Sequence, residues 1–268
     1  MKKTLLATTL TLATLGSAGC AQLLTGGLTA AQALQPISEA QEIEIGRSAA
    51  QEVLNDSKTR LYTHSSVNAY VREVGMRMAS RSERPGLPWE FRIVEDAALN
   101  AFALPGGQIF ITTGALSAMK NEAELAGVLG HEVAHVAHKH GIEKLKQAMI
   151  AQGIATATLG STPQLAQQAG AIALTLVLNG QGRGAELEAD RYGTLYEARE
   201  NYNPQALGDF LRTIDTTSGG TPAWLGVLST HPSLNERLET IRQTIEQHKL
   251  SGNLTKESEY LTSTSPLR

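Results

Sequence analysis

The stretch LAGVLGHEVAHVAHKH, residues 125–140, constrains this chain more than any other. Leu125, Val128, Leu129, Val133 and Val136 recur at helical spacing, so the segment reads as an apolar helix buried on several faces. Inside it stands HEVAH. His131 and His135, four residues apart, project from one helical face about 6 Å apart along the axis, and two such imidazoles can converge on one metal ion. Glu132 then stands beside the metal rather than on it, where a general base belongs, and this is the pattern of a zinc-peptidase helix. The alternative is a chance pattern with one histidine exposed and one buried. His138 lies about 10 Å along the axis from His131, too far to share an ion, so His138 and His140 read as helix-end histidines favoured by the negative end of the dipole.

A catalytic zinc site needs a third protein ligand and an open position. The best source is RGAELEADRYG, where Glu186 and Asp190 share a helical face. Glu186 could complete a His₂Glu set, and Asp190 could accept the free ring N–H of a zinc histidine. Alone, the same acids read as a solvated face partnered by Arg183 and Arg191; HEVAH reverses that preference.

Around this centre the chain reads as α+β, predominantly helical, with a small β-sheet packed against the HEVAH helix. Only 4% of its 268 residues are aromatic, which favours closely packed helices. Helices are predicted after Ser38 and over Ser66–Ser82. WEFRIVE (89–95) and QIFITT (108–113) read as strands separated by NAFALPGG, and helical periodicity resumes at Asn121. AGAIALTLVL (169–178) is too short to span a bilayer and reads as a buried or cleft-lining helix. The formal net charge of -3, without a basic patch, argues against nucleic acid as a partner.

MKKTLLATTLTLATLGSAGC has the form of an export signal over residues 1–19, and Cys20 sits where bacterial lipoprotein signals place the acylated thiol. Ser17 departs from the usual leucine, and ordinary cleavage after Ala18 or Ala21 is the alternative. Residues 20–35 read as a tether, 36–249 as the folded domain, and 250–268 as a polar, disordered tail. Cys20 is the only cysteine, so no thiol is available to bind metal in the folded body.

HEVAH followed by AELEAD, with NAFALPGG (100–107), IFITTGAL (109–116) and STHPSLNERLETI (229–241) in the same order, resembles the HtpX/BepA/LoiP-like family of zinc metallopeptidases. These are gluzincins, which also include the prenyl-protein CAAX proteases. The resemblance covers about residues 38–245 and implies a gluzincin domain of minigluzincin-like kind. It implies one Zn²⁺ per chain on His131, His135 and Glu186, Glu132 as general base, and Asp190 as a partner behind a ligand. It also implies that His231 approaches the metal, as an extra ligand in a resting form or as a donor to the oxyanion. The strand after NAFALPGG would be the edge that holds a peptide, shaped by Asn100, Gly106 and Gly107; read locally, those residues make a simple turn. The chain lacks the transmembrane helices and helical repeats of the larger members and is most similar to the short, exported lipoprotein ones.

The resemblance implies a metalloendopeptidase of the bacterial envelope, attached to the outer membrane through Cys20. Its substrates would be misfolded or stalled envelope proteins, with outer-membrane assembly machinery as a candidate partner. The competing reading is a latent or structural-zinc periplasmic chaperone or adaptor in which His231 closes the metal site. Zinc is the metal of the family, although manganese or cobalt suits the same ligands.

Overall fold

A computed structural model describes residues 36–151, 162–217 and 232–267. The predicted export signal, the tether with Cys20, and His231 lie outside the described residues.

Helix α1 (Glu39–Asn55) begins at a capping box in which the Ser38 side chain accepts from the Gln41 backbone and Gln41 returns to the Ser38 N–H. Helix α2 (Ser65–Ser80) follows. The sheet comprises β1 (Glu90–Val94), β2 (Ala101–Leu104) and β3 (Gln108–Thr112), in the order β1-β3-β2. β1 runs parallel to β3 and β2 antiparallel to it. Then come α3 (Thr113–Ala118), α4 (Glu122–Ala137), α5 (His140–Ala151), α6 (Pro163–Leu178), α7 (Arg183–Arg199), α8 (Ala206–Thr217), α9 (Leu234–His248) and α10 (Glu257–Ser263). The fold is thus mostly helical with one small mixed sheet.

Helix α4 carries HEVAH and is buried at every residue. It packs against α2, α7, α8 and β2, so its two histidines are fixed from several sides. Asn121 caps it, its side-chain oxygen accepting from the Glu124 N–H at 3.0 Å, which is worth about 1 kcal/mol. Its crossing with α7 is unusually close: a Cβ on Gly193 would lie 2.9 Å from the His131 nitrogen. That glycine lets the α7 carboxylates reach the α4 histidines.

Three expectations are corrected. NAFALPGG is not a simple separator, because its Ala101–Leu104 portion pairs with β3 as a third strand. Consequently the strand after it, β3, is the centre of the sheet and wholly buried, and cannot accept an added peptide; β2 is the edge. Gly106 and Gly107 do not shape that edge either. They form the buried turn Pro105–Gly107 between β2 and β3, and both have positive φ. A Cβ on Gly106 would meet the Ile43 Cα at 2.6 Å, so Gly106 admits α1 against the turn.

The third correction concerns the C-terminus. Residues 250–267 are not a disordered tail: Leu254 bridges to Tyr202, α10 forms, and Tyr260 is fully buried with its hydroxyl donating to the Leu116 carbonyl. A single aromatic in a polar run supplies the anchor that composition hides.

Among the described residues, no helix is long and apolar enough to cross a membrane. The apolar segment at 169–178 lies in α6, which packs along α1 with Ala169 and Ala173 buried and its C-terminal end at the cleft.

Candidate metal centre

The structure brings His131, His135 and Glu186 together. The two Nε2 atoms are 3.0 Å apart, and the Glu186 oxygens lie 3.6 Å from His131 Nε2 and 3.7 Å from His135 Nε2. Two nitrogens on one tetrahedral zinc at bonds of 2.0–2.1 Å stand about 3.3 Å apart, so the spacing brackets what a shared ion requires. All three side chains are buried. The alternative of a solvated α7 face therefore fails: Arg183 pairs with Glu236 and Arg191 with Glu188, while Glu186 and Asp190 point inward.

Asp190 Oδ1 lies 2.9 Å from His131 Nδ1. A carboxylate only accepts, so His131 donates from Nδ1, and its neutral ring carries the lone pair on Nε2, facing the cluster. Arg237 on α9 forks onto the same carboxylate, Nε to Oδ2 at 2.8 Å and Nη2 to Oδ1 at 2.6 Å. The sequence reading missed Arg237. Its signal was position: it falls on the stripe Leu234, Leu238, Ile241, Ile245, where α9 turns toward the core.

Charge decides whether the donor set suits a cation. Arg237 neutralises Asp190, which leaves Glu186 and Glu132 as two further carboxylates, both buried, beside imidazoles. Uncompensated buried charge is costly, and a divalent cation would balance both acids. The residues therefore fit the metal that their types suggest. Titration reflects the same crowding. Burial pushes the Glu132 carboxyl up to about 7. Burial disfavours a charged His131, yet hydrogen bonds to Asp190 and Glu186 outweigh it and raise the ring to about 9. Burial likewise opposes Glu186 ionising, but the two histidines hold it well below the usual carboxylate range. His135 is pushed down, first by burial and then by the neighbouring His131.

Glu132 lines the cleft next to the cluster and takes a hydrogen bond from the Ala103 N–H of β2. The Thr112 N–H donates to the Asn100 carbonyl, so Asn100 and, by the period of two, Phe102 and Leu104 face β3. Ala101 and Ala103 turn their backbone groups toward the cleft. Asn100 precedes this edge strand and lines the cleft with Leu99 and Ala101. On one side the cleft opens into an apolar pocket formed by Val128, Leu207, Phe210, Leu211 and Ile214, with Arg237 and Glu132 at its wall. On the other it runs past Phe102, Val177, Leu178 and Gln181.

His138 and His140 were read together as helix-end histidines, and the structure separates them. His138 caps α4 with its ring against Tyr192, whereas His140 opens α5 and reaches His135.

Known proteins give an independent comparison. The chain is 31% identical over 206 residues to the mitochondrial metalloendopeptidase OMA1 of Schizosaccharomyces pombe, covering 75% of this chain and 60% of that protein. It is 30% identical over 253 residues to the beta-barrel assembly-enhancing protease of Yersinia pestis, covering 85% and 52%. To the metalloprotease YcaL of Escherichia coli it is 29% identical over 168 residues, covering 61% and 65%. The chain thus spans 52–65% of the length of these relatives. A model of Peptidase family M48 matches residues 65–245, more than half of the chain and all of the described metal cluster. The chain belongs to peptidase family M48.

Proposed function

We propose that this chain is a zinc-dependent metalloendopeptidase acting on unfolded segments of proteins in the bacterial cell envelope. The observation that carries the reading is Glu132, a buried carboxyl standing between the three-donor cluster and the edge strand β2. A zinc ion on His131, His135 and Glu186, one per chain, would supply a Lewis acid for the scissile carbonyl and acidify a neighbouring water. Glu132 takes the proton from that water and delivers it to the leaving amine, a role suited to a buried carboxylate held beside the cluster. Ala101, together with the carbonyl of Ala103, whose N–H is held by Glu132, binds an extended peptide by main-chain hydrogen bonds, which requires a locally unfolded substrate. The pocket at Val128 and Phe210 accepts an apolar side chain of the kind that misfolded proteins expose. His231, on the family pattern, donates to the oxyanion.

The envelope setting is supported by the export signal with Cys20 as an acylated anchor. It is supported also by a relative named as a beta-barrel assembly-enhancing protease. On this reading the substrates are stalled or misfolded envelope proteins, and the anchor places the domain at the outer membrane near its assembly machinery.

The test compares the parent with Glu132→Gln for bound zinc and for cleavage of an unfolded casein-like protein. Zinc in both with cleavage only by the parent is the expected result. Zinc in both with equal residual cleavage overturns Glu132 as the base, and absence of zinc from metal-replete parent overturns the metal reading.

A further inference from the structure

We propose that His140 and Glu188 form a positioning relay behind the metal ligand His135, fixing which of its ring nitrogens carries the proton. The inference rests on the reading of His131, His135 and Glu186 as a metal site.

The two histidines of α4 are supported in different ways. His131 faces a carboxylate directly, since Asp190 accepts from its Nδ1. His135 faces another imidazole: its Nδ1 lies 2.8 Å from His140 Nδ1. An imidazole nitrogen can donate or accept, so that contact alone leaves the tautomer of His135 undecided. Glu188 decides it. Its Oε2 lies 3.2 Å from His140 Nε2, and a carboxylate can only accept. His140 therefore donates from Nε2 and presents a lone pair at Nδ1. His135 must donate from its own Nδ1, which leaves the His135 Nε2 lone pair free, 3.0 Å from His131 Nε2 and facing Glu186. The hydrogen bonds behind the two ligand rings thus select the metal-binding tautomer of each neutral ring, one through a carboxylate and the other through a carboxylate acting on a histidine. The sequence places the parts together: His140 is five residues after His135, across the α4–α5 break, and Glu188 stands two residues from both Glu186 and Asp190 on α7.

His138 provides the internal control. Its Nδ1 is 3.8 Å from the other oxygen of Glu188, and its ring packs on Tyr192.

The experiment measures zinc dissociation constants by chelator competition, the visible spectrum of the Co²⁺-loaded protein, and the thermal midpoint of the metal-free protein. Variants are His140→Ala, His140→Gln, Glu188→Ala and His138→Ala. Loss of a hydrogen-bonding partner behind a metal histidine commonly weakens metal binding about 10–100-fold, and that is the loss expected for His140→Ala. Its metal-free midpoint should stay close to the parent's and its Co²⁺ spectrum should shift. His140→Gln, whose amide oxygen can accept the same N–H, should recover most of the affinity. Glu188→Ala should weaken zinc by more than about threefold, a smaller version of the same loss, and His138→Ala should leave it unchanged. Zinc affinity in His140→Ala within about threefold of the parent overturns the relay, as does an equal loss in His138→Ala. An unaffected Glu188→Ala overturns the part assigned to Glu188. Proteolysis is not the readout: a parent that binds zinc but cuts nothing sinks the peptidase reading alone, whereas an active peptidase whose zinc affinity is unchanged in His140→Ala sinks the relay alone. A parent that binds no zinc sinks both.

Discussion

The Arg237 guanidinium and the Asp190 carboxylate form a two-pronged ion pair with no more than 3% of either side chain exposed, and the Oδ1 that Arg237 holds at 2.6 Å also faces His131 Nδ1 at 2.9 Å. One residue of α9 thereby orients a histidine of α4 through an acid of α7. Removing Arg237 leaves Asp190 buried and uncompensated.

Arg237→Leu should therefore cost about 3–5 kcal/mol of stability, the usual consequence of breaking a buried pair at one partner. It should also weaken zinc, because Asp190 then lacks the group that holds it toward His131. Arg237→Lys should recover part of the stability but not the two-pronged geometry, so its zinc affinity should remain low. Urea denaturation of the metal-free proteins with zinc competition separates the two effects. Full zinc affinity in Arg237→Lys would show that the fork is dispensable.

Glu122 makes a second buried hub, at the first turn of α4. It accepts from the hydroxyls of Tyr70 and Tyr202 and pairs with Arg77 and Lys256, which ties α2, α4 and the C-terminal segment together. Burial raises its carboxyl, but hydrogen bonds from Tyr202, Tyr70 and Lys256, with the charge of Arg77, outweigh burial and bring it below its ordinary value. A depressed carboxylate contributes stability above its unfolded pKa of about 4.3 and loses it as pH falls through the lower folded value. The stability gap between parent and Glu122→Gln should hence be full at pH 7 and shrink below about pH 4. Denaturation midpoints at pH 7, 5 and 3.5 test this, and a gap independent of pH would contradict the charged hub.

The C-terminal segment yields a prediction of opposite tone to its composition. Tyr260 is buried against the core that surrounds α4, and Lys256 binds Glu122. Tyr260→Ala should cost about 3–5 kcal/mol, as large core truncations do. Deleting residues 250–268 should lower the thermal midpoint at least as much. A deletion with an unchanged midpoint would mean that the segment adds nothing to the domain.

How much of this was legible in the sequence varied with the range of the interaction. The α4 helix and its Asn121 cap, and the facing of Glu186 and Asp190, follow from local periodicity and residue chemistry. β2 was hidden because AFAL is four residues long and abuts a proline and two glycines, which read as loop. The stripe on α9 marks Arg237 as facing inward, but its partner Asp190, and the contact of His140 with His135, depend on how α9 packs on α7 and α5 meets α4, which spacing along one helix cannot show. Tyr260 was missed for the same reason: its partner Leu116 is 144 residues away.

The edge strand supplies the last prediction. Phe102 and Leu104 face β3 across the ladder, while Ala101 and Ala103 face the cleft beside Glu132. Proline lacks an N–H, and on an edge strand it removes a donor without breaking the ladder where that N–H points outward. Ala101→Pro should accordingly keep its zinc and most of its thermal stability, yet lose about tenfold or more in kcat/KM toward an unfolded protein, since one main-chain hydrogen bond to an extended substrate is gone and its alignment suffers. Phe102→Pro is the contrast, because it strikes a residue that faces β3 and should destabilise the sheet itself. If Ala101→Pro cleaves as well as the parent, the peptide does not lie along β2, and the path from cleft to Glu132 must run past Val177 and Gln181 instead.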